Sequence, residues 1–190
     1  MSQAVLEIKE LTFGYSEKKL FQNFSLTLNR GELVAIVGKS GVGKSTLFEL
    51  IAGNLKPERG VIISKKIAWI FQDPYSSFHP SFSIINQIEE VAKNSNYSQY
   101  LDMLNLTHDN LNTLPHELSG GQLQRCSILR ALLMEADILL CDEPTSALDN
   151  IVQLDTMKLL VTLLKNLSIL LITHDESLAK WSADKIIKLG

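Results

Sequence analysis

Two short segments of this chain carry residue types that handle phosphate. Gly38-Lys39-Ser40-Gly41-Val42-Gly43-Lys44-Ser45 fits the spacing G-x-x-x-x-G-K-[ST]. Glycines let the backbone curl so that successive N–H groups face phosphate oxygens. A helix that follows adds the positive end of its dipole. In such a cradle, running here from Gly38 to Thr46, Lys44 reaches the terminal phosphates and Ser45 offers its hydroxyl to Mg²⁺. The second segment, Ile138-Leu139-Leu140-Cys141-Asp142-Glu143, is an apolar run ending in two acids. Strand ends of an open α/β sheet are where ligands sit. That places Asp142 in the metal's shell and Glu143 beside an attacking water, where a positioned base contributes roughly 10²–10⁴ in rate. A chance glycine-rich turn and a pair of solvated acids are the plainer readings. They lose ground because the loop follows a buried strand, opens a helix and shares the chain with the acids.

A third segment, Leu118-Ser119-Gly120-Gly121-Gln122, is a Ser-Gly-Gly turn that opens another helix. As an ordinary helix start it needs only Ser119 as its cap. As an anion-binding terminus it is a second one in a chain whose single phosphate loop already serves one nucleotide. A second phosphate-seeking turn then points to a site completed by another copy.

The elements that position these residues follow from periodicity. Val5 to Leu11 and Phe24 to Leu28 alternate as half-buried strands do, with a turn at Asn29-Arg30-Gly31. Leu33 to Val37 is a β-branched run of the kind covered on both faces. Thr46 to Ala52 reads as a helix stopped by Gly53, and Gly60 to Ile70 as one or two short strands. From Ser81 to about Met134 the pattern is helical, broken around Asn94-Ser95-Asn96 and from Thr107 to Thr113. Strands are expected at Asp137 to Cys141, Ile169 to Thr173 and Lys185 to Leu189, with helices at Ile151 to Leu164 and Glu176 to Trp181. Such alternation predicts a mostly parallel α/β sheet with a helical insertion and an antiparallel N-terminal portion.

Composition narrows the classes. With 190 residues, 45% hydrophobic and 21% charged, the chain suits one soluble globular domain with a small inserted subdomain. A net charge of -3 offers no basic face, so nucleic acid is not the expected partner. Cys126 and Cys141 lack metal-ligand spacing and read as two buried reduced thiols. The start, Met1 to Ile8, has no basic segment followed by an apolar core. The longest apolar runs, such as Ile169 to Ile172, fall far short of the roughly 20 residues that cross a bilayer. His79, His108 and His116 read as surface or capping residues, Trp69 and Trp181 as packing residues, and Arg125 as a structural charge.

The Leu118 to Gln122 segment matches the signature of the ABC (ATP-binding cassette) ATPases, and the chain resembles that family over nearly its whole length. The resemblance implies a P-loop NTPase fold of RecA-like type, with a core at 1–72 and 135–190 and a helical subdomain at about 73–134. It implies ATP and Mg²⁺ as cofactors and hydrolysis coupled to transport. In the family the signature of one subunit (here Ser119, Gly120, Gly121 and Gln122) caps the ATP held by its partner's phosphate loop. Phe71-Gln72-Asp73 resembles the Q-loop, whose glutamine touches Mg²⁺ or the water. Ser146-Ala147-Leu148-Asp149 resembles the D-loop at the dimer interface. Thr173-His174-Asp175 resembles the switch histidine on the γ-phosphate, and Tyr15 sits where the family stacks an aromatic on adenine. The implied catalytic set is Glu143, His174, Lys44 and Gln72, with Ser45, Gln72 and Asp142 toward the metal.

Gln72-Asp73-Pro74-Tyr75-Ser76-Ser77, followed by Pro80, resembles the peptide and nickel importer branch. That branch implies a place on the cytoplasmic side of the membrane. Its expected partners are transmembrane permease subunits, a second ATPase subunit of the same or a related kind and, indirectly, an extracytoplasmic solute-binding protein. Another importer, an exporter or a non-transport ATPase of the family remains an alternative. Against the branch, Val61 to Ile70 is a tight connection, the helical segment before Ser119 is short, and the sequence ends at Gly190 without the branch's C-terminal extension.

Overall fold

A computed structural model describes residues 3–16, 18–93, 96–146 and 148–190. Met1 and Ser2 of the N-terminal reading, Asn94 and Ser95 of the expected helix break and Ala147 of the D-loop segment lie outside the described residues. The chain opens with β1 (Ala4–Tyr15), β2 (Lys18–Asn29), β3 (Leu33–Gly38), α1 (Lys44–Ile51), β4 (Arg59–Ser64) and β5 (Ile67–Ile70). Helices follow at α2 (Ile84–Val91), α3 (Ser98–Leu104), α4 (His108–Asn112) and α5 (Gly120–Leu133). Then come β6 (Ile138–Asp142), α6 (Asn150–Leu163), β7 (Ser168–Ile172), α7 (Glu176–Ser182) and β8 (Lys185–Leu189).

Two sheets result. The larger is parallel, in the order β5-β6-β7-β3-β8, and the smaller is antiparallel, in the order β2-β1-β4. The strand pleat explains the layering, because alternate residues of one strand enter different cores. Leu139, Cys141, Ile169 and Leu171 face the helices α2 to α6, packing with Leu123, Ile128, Met157 and Leu160. Ile138, Leu140, Leu170, Ile172, Val34 and Ile36 face the opposite way, onto Leu47 and Phe48 of α1 and onto Leu6, Ile8 and Leu28 of the antiparallel sheet. Strands covered on both sides must be apolar at every position, which is why β3, β6 and β7 read as unbroken runs.

The structure departs from the sequence expectation in three places. β1 and β2 extend to Tyr15 and from Lys18, past the ends that alternation suggests. Glu10 and Asn23 take left-handed backbone angles (φ 49° and 52°), and the register between the strands shifts there, so the period of two is lost. Thr107 to Thr113 is expected as a break, yet α4 forms inside it. Thr107 and Asn110 cap it reciprocally, with the Asn110 N–H 3.3 Å from Thr107 Oγ1 and the Thr107 N–H 2.9 Å from Asn110 Oδ1. Trp69 packs edge-on to Phe48 and stacks on Phe71, but Trp181 is 52% exposed on α7 rather than packed.

Candidate functional site

β3 delivers the phosphate loop at its C-terminal end, and α1 begins on the far side. Gly43 takes φ 108°, a left-handed angle that costs a residue with a Cβ dearly. A Cβ there would also stand 3.3 Å from the Phe21 ring. This turn folds Lys44 back over its own loop. Its ammonium donates to the Gly38 carbonyl at 2.8 Å and the Lys39 carbonyl at 3.1 Å, and the residue is only 8% exposed.

β6 and β7 end beside that loop and supply the acids and the histidine. Glu143 follows β6 with φ 45°, a strained angle for a residue with a side chain. Its N–H donates to the Ile172 carbonyl at 2.9 Å, which fixes the turn against β7. Glu143 Oε2 accepts from Gln72 Nε2 at 3.2 Å and stands 3.1 Å from His174 Nδ1. Gln72 also donates to Ser146 Oγ at 3.2 Å, and Ser146 Oγ in turn donates to the Glu143 carbonyl at 3.1 Å. The Glu143 side chain is 17% exposed and that of His174 66%, so the histidine covers the acid from the solvent side.

Asp142 lies deeper. Burial pushes its carboxyl above the usual carboxylate range. A hydrogen bond from Ser45 and the Lys44 charge work against that rise, while the charges of Glu143 and Glu49 add to it. A partly desolvated carboxylate joined to a loop hydroxyl and short of positive charge is a donor pair that a divalent cation fits.

These groups line one cleft of about 540 Å³: Tyr15, Ser40, Gly41, Gly43, Lys44, Ser45, Thr46, Gln72, Asp142, Glu143 and His174, all expected from sequence, together with Lys18 and Leu20. Lys18 and Leu20 escape a motif search. They arrive because β2 returns alongside β1, with Tyr15 paired to Lys18. Gly38, Lys39 and Val42 instead face a neighbouring cleft of about 570 Å³ on the other side of the loop, beside Glu176 and Lys188.

Ser119, Gly120, Gly121, Gln122 and Asp149 do not line the first cleft. Ser119 caps α5, with the Gln122 N–H 3.3 Å from its Oγ and Gln122 Oε1 accepting the Ser119 N–H at 3.0 Å. Asp149 caps α6 through the N–H groups of Ile151 (3.0 Å) and Val152 (3.1 Å). Arg125 is half-buried on α5. His79, His108 and His116 are exposed, and His79 Nδ1 accepts the Ser81 N–H at 3.2 Å, a capping contact. Cys126 and Cys141 are free and buried, and burial pushes the Cys126 thiol up to about 12.

A parallel sheet that brings a phosphate loop from the end of β3 and paired acids from the end of β6, with β7 between them, to one cleft defines a P-loop nucleoside-triphosphate hydrolase. The sequence pattern of the family described as ABC transporter matches residues 21–146, and the chain belongs to that family. Cassettes of this kind bind ATP and hydrolyse it to drive transport, and this chain is such an ATPase subunit. The nickel import system ATP-binding protein NikE of Staphylococcus aureus (strain N315) is 36% identical over 201 residues, covering 97% of this chain and 86% of the relative. A chain of an inward-facing transporter described as metal-chelate type superposes with TM-score 0.86 at 31% identity, covering 99% of this chain and 80% of its own. An ATP-binding cassette captured as a dimer in a post-hydrolysis state with ADP and Pi gives 0.81 at 28% identity, covering 97% and 94%. Among the described residues no helix is long and apolar enough to cross a membrane.

Proposed function

We propose that this chain powers import of a nickel ion, a metal chelate or a peptide, working as one half of an ATP-sandwich dimer on the cytoplasmic face of a membrane. Its partners would be transmembrane permease subunits, a second ATPase subunit and, through the permease, an extracytoplasmic solute-binding protein. The nickel import relative at 36% identity supports the import reading, as does the likeness to the metal-chelate type transporter. One observation carries the mechanism: Glu143, Gln72 and His174 meet at a single carboxylate oxygen beside the phosphate loop.

The residues take roles accordingly. Tyr15 stacks on the adenine, and Lys18 stands at the same end of the cleft. Backbone N–H groups from Gly38 to Thr46 cradle the phosphates, and Lys44 leaves its two loop carbonyls to meet the terminal ones. Ser45, Asp142 and Gln72 would hold Mg²⁺, which supplies charge neutralisation on the phosphates when bound. Glu143 orients and deprotonates the attacking water, while Lys44 and His174 stabilise the charge that develops on the phosphoryl oxygens. The turn from Ser119 to Gln122 closes the partner's site, a reading supported by its absence from the lining of this chain's own cleft, and Asp149 lies at that interface. The helices between 73 and 134 serve as a subdomain that moves as the sandwich closes and reopens.

The test is steady-state ATPase activity of the purified chain, alone and with a sister ATPase, using Glu143→Gln as control. The substitution should retain ATP binding, accumulate the closed dimer and remove at least ~100-fold of the rate. A Glu143→Gln variant that hydrolyses ATP at the parental rate would end the assignment of the base. Metal uptake that follows deletion of the gene separates nickel or chelate import from peptide import.

A further inference from the structure

The segment that follows Gln72 is fastened to α5 at both ends. Asp73 caps a single turn of 3₁₀ helix, Pro74–Ser77, accepting the N–H groups of Tyr75 at 3.0 Å and Ser76 at 3.2 Å. Ser76 Oγ donates to the Asp73 carbonyl at 2.7 Å, which stiffens the turn further. From this turn the Tyr75 hydroxyl donates to the Leu118 carbonyl at 3.0 Å, one residue before the Ser119 cap. Farther along the same helix, Arg130 donates to the Ser77 carbonyl at 2.7 Å, and its guanidinium lies 4.3 Å from the centre of the Phe78 ring. At the opposite end of the segment Gln72 holds Glu143 and Ser146.

We propose that Tyr75 is a positioning residue: its hydroxyl makes the Ser119 to Gln122 turn follow the Gln72 segment as one body, with Arg130 anchoring the segment's far end. The significance of that turn rests on the functional reading above, in which it completes a partner's ATP site. Three features support the assignment. Leu118 is buried and its N–H donates to the Pro115 carbonyl at 3.3 Å, so the residue bonded to Tyr75 has little freedom of its own. The reciprocal bonds between Ser119 and Gln122 carry that restraint into the turn. Tyr75 is itself 46% exposed, so its ring adds little to the core and the hydroxyl is what distinguishes it from phenylalanine. A shift at Gln72 is thus passed to the signature turn through one short rigid segment, without passing through the sheet.

The experiment is hydrogen–deuterium exchange on the purified chain carrying Tyr75→Phe, which keeps the ring and removes one hydrogen bond. Peptides covering 118–123 should exchange roughly three- to tenfold faster, the change expected from one lost bond. Peptides covering 38–46 and the affinity for Mg-ATP should stay at parental values, and the melting temperature should fall by no more than the roughly 2–4 °C that one lost bond accounts for. In the assembly that hydrolyses ATP, kcat should fall roughly fivefold with little change in KM. Arg130→Lys keeps the charge but loses the planar fork, and should loosen 77–78 and 118–123 together. Parental exchange at 118–123 in Tyr75→Phe, or faster exchange confined to 73–78, overturns the proposal. The exchange measurement needs no partner and no turnover. An unaltered rate in Glu143→Gln would therefore strike at the functional reading and leave this result standing.

Discussion

Gly121 of α5 and Val152 of α6 approach so closely that a Cβ on Gly121 would stand 2.9 Å from Val152 Cγ1. The contact gives the second signature glycine a packing reason of its own, apart from any nucleotide. Gly120 has more room, its nearest neighbour being Leu148 Cδ2 at 3.9 Å. The starts of the two capped helices are therefore locked flank to flank.

Gly121→Ala sets two effects against each other. Replacing glycine inside a helix gains about 0.5–1 kcal/mol, while overpacking a stiff β-branched neighbour costs about 1–3 kcal/mol. The clash should win, giving a net loss of about 1 kcal/mol in denaturant unfolding. Adding Val152→Ala removes the obstructing methyls, and the double variant should then recover more than half of that loss. Equal effects of Gly121→Ala with and without Val152→Ala would show that the contact is not the cause.

Asp142 leads to a prediction about pH. Burial raises its carboxyl pKa in the folded chain. A group raised on folding adds stability that is fully present below the unfolded pKa and is lost as pH rises through the folded one. Ionised Asp142 should thus burden the nucleotide-free chain at neutral pH. Asp142→Asn keeps an acceptor for Ser45 and removes the charge. It should raise the melting temperature at pH 7, because the charge that burial disfavours is gone. The gain should shrink as pH falls into the ordinary carboxylate range, where the parental acid is neutral. ATPase activity should be lost at every pH.

How far the sequence could be read depended on whether the physics was local. β3, β6 and β7 were legible because strands covered on both faces carry apolar residues without interruption, and the phosphate loop because its spacing is itself the mechanism. The hairpin of β1 and β2 was cut short where Glu10 and Asn23 break the alternation. α4 was hidden because its five residues have weak helix propensity, and the Thr107–Asn110 cap that secures them lies inside what reads as a turn. Lys18 and Leu20 belong to no motif and reach the cleft only through strand register. Arg130 gave no signal at all, since its partners Ser77 and Phe78 lie about fifty residues upstream. Ser119 and Asp149 could be named from the resemblance, yet within one chain they cap helices and do not line the cleft.

The two thiols make a simple check on packing. The Cys126 thiol is pushed up to about 12 by burial, and Cys141 is raised further by burial and by the charge of Asp142. The thiolate is the reactive form, so neither should react measurably with iodoacetamide at pH 8 in the native chain. Both should become reactive together across the unfolding transition in urea. Modification of Cys126 well below that transition would mean that α5 opens locally, contrary to the complete burial of that residue.

Lys44 offers the sharpest separation between folding and nucleotide binding. In the nucleotide-free chain its ammonium is held by the Gly38 and Lys39 carbonyls in a site with 8% exposure. A buried charge with two neutral acceptors is only partly compensated, so its removal should not cost the fold much. Lys44→Met retains the stem that packs there and removes the charge. Its melting temperature without nucleotide should fall within ~2 °C of the parental value, about 1 kcal/mol at most. Saturating Mg-ATP should raise the parental melting temperature by mass action, and that rise should vanish in Lys44→Met. Lys44→Arg keeps the charge, but a planar guanidinium cannot occupy a pocket that closes around a compact ammonium. It too should lose the nucleotide-dependent shift, by weakening affinity at least ~10-fold. A full ATP shift in Lys44→Arg would mean that charge alone is needed and that the fit of the loop around the ammonium is incidental.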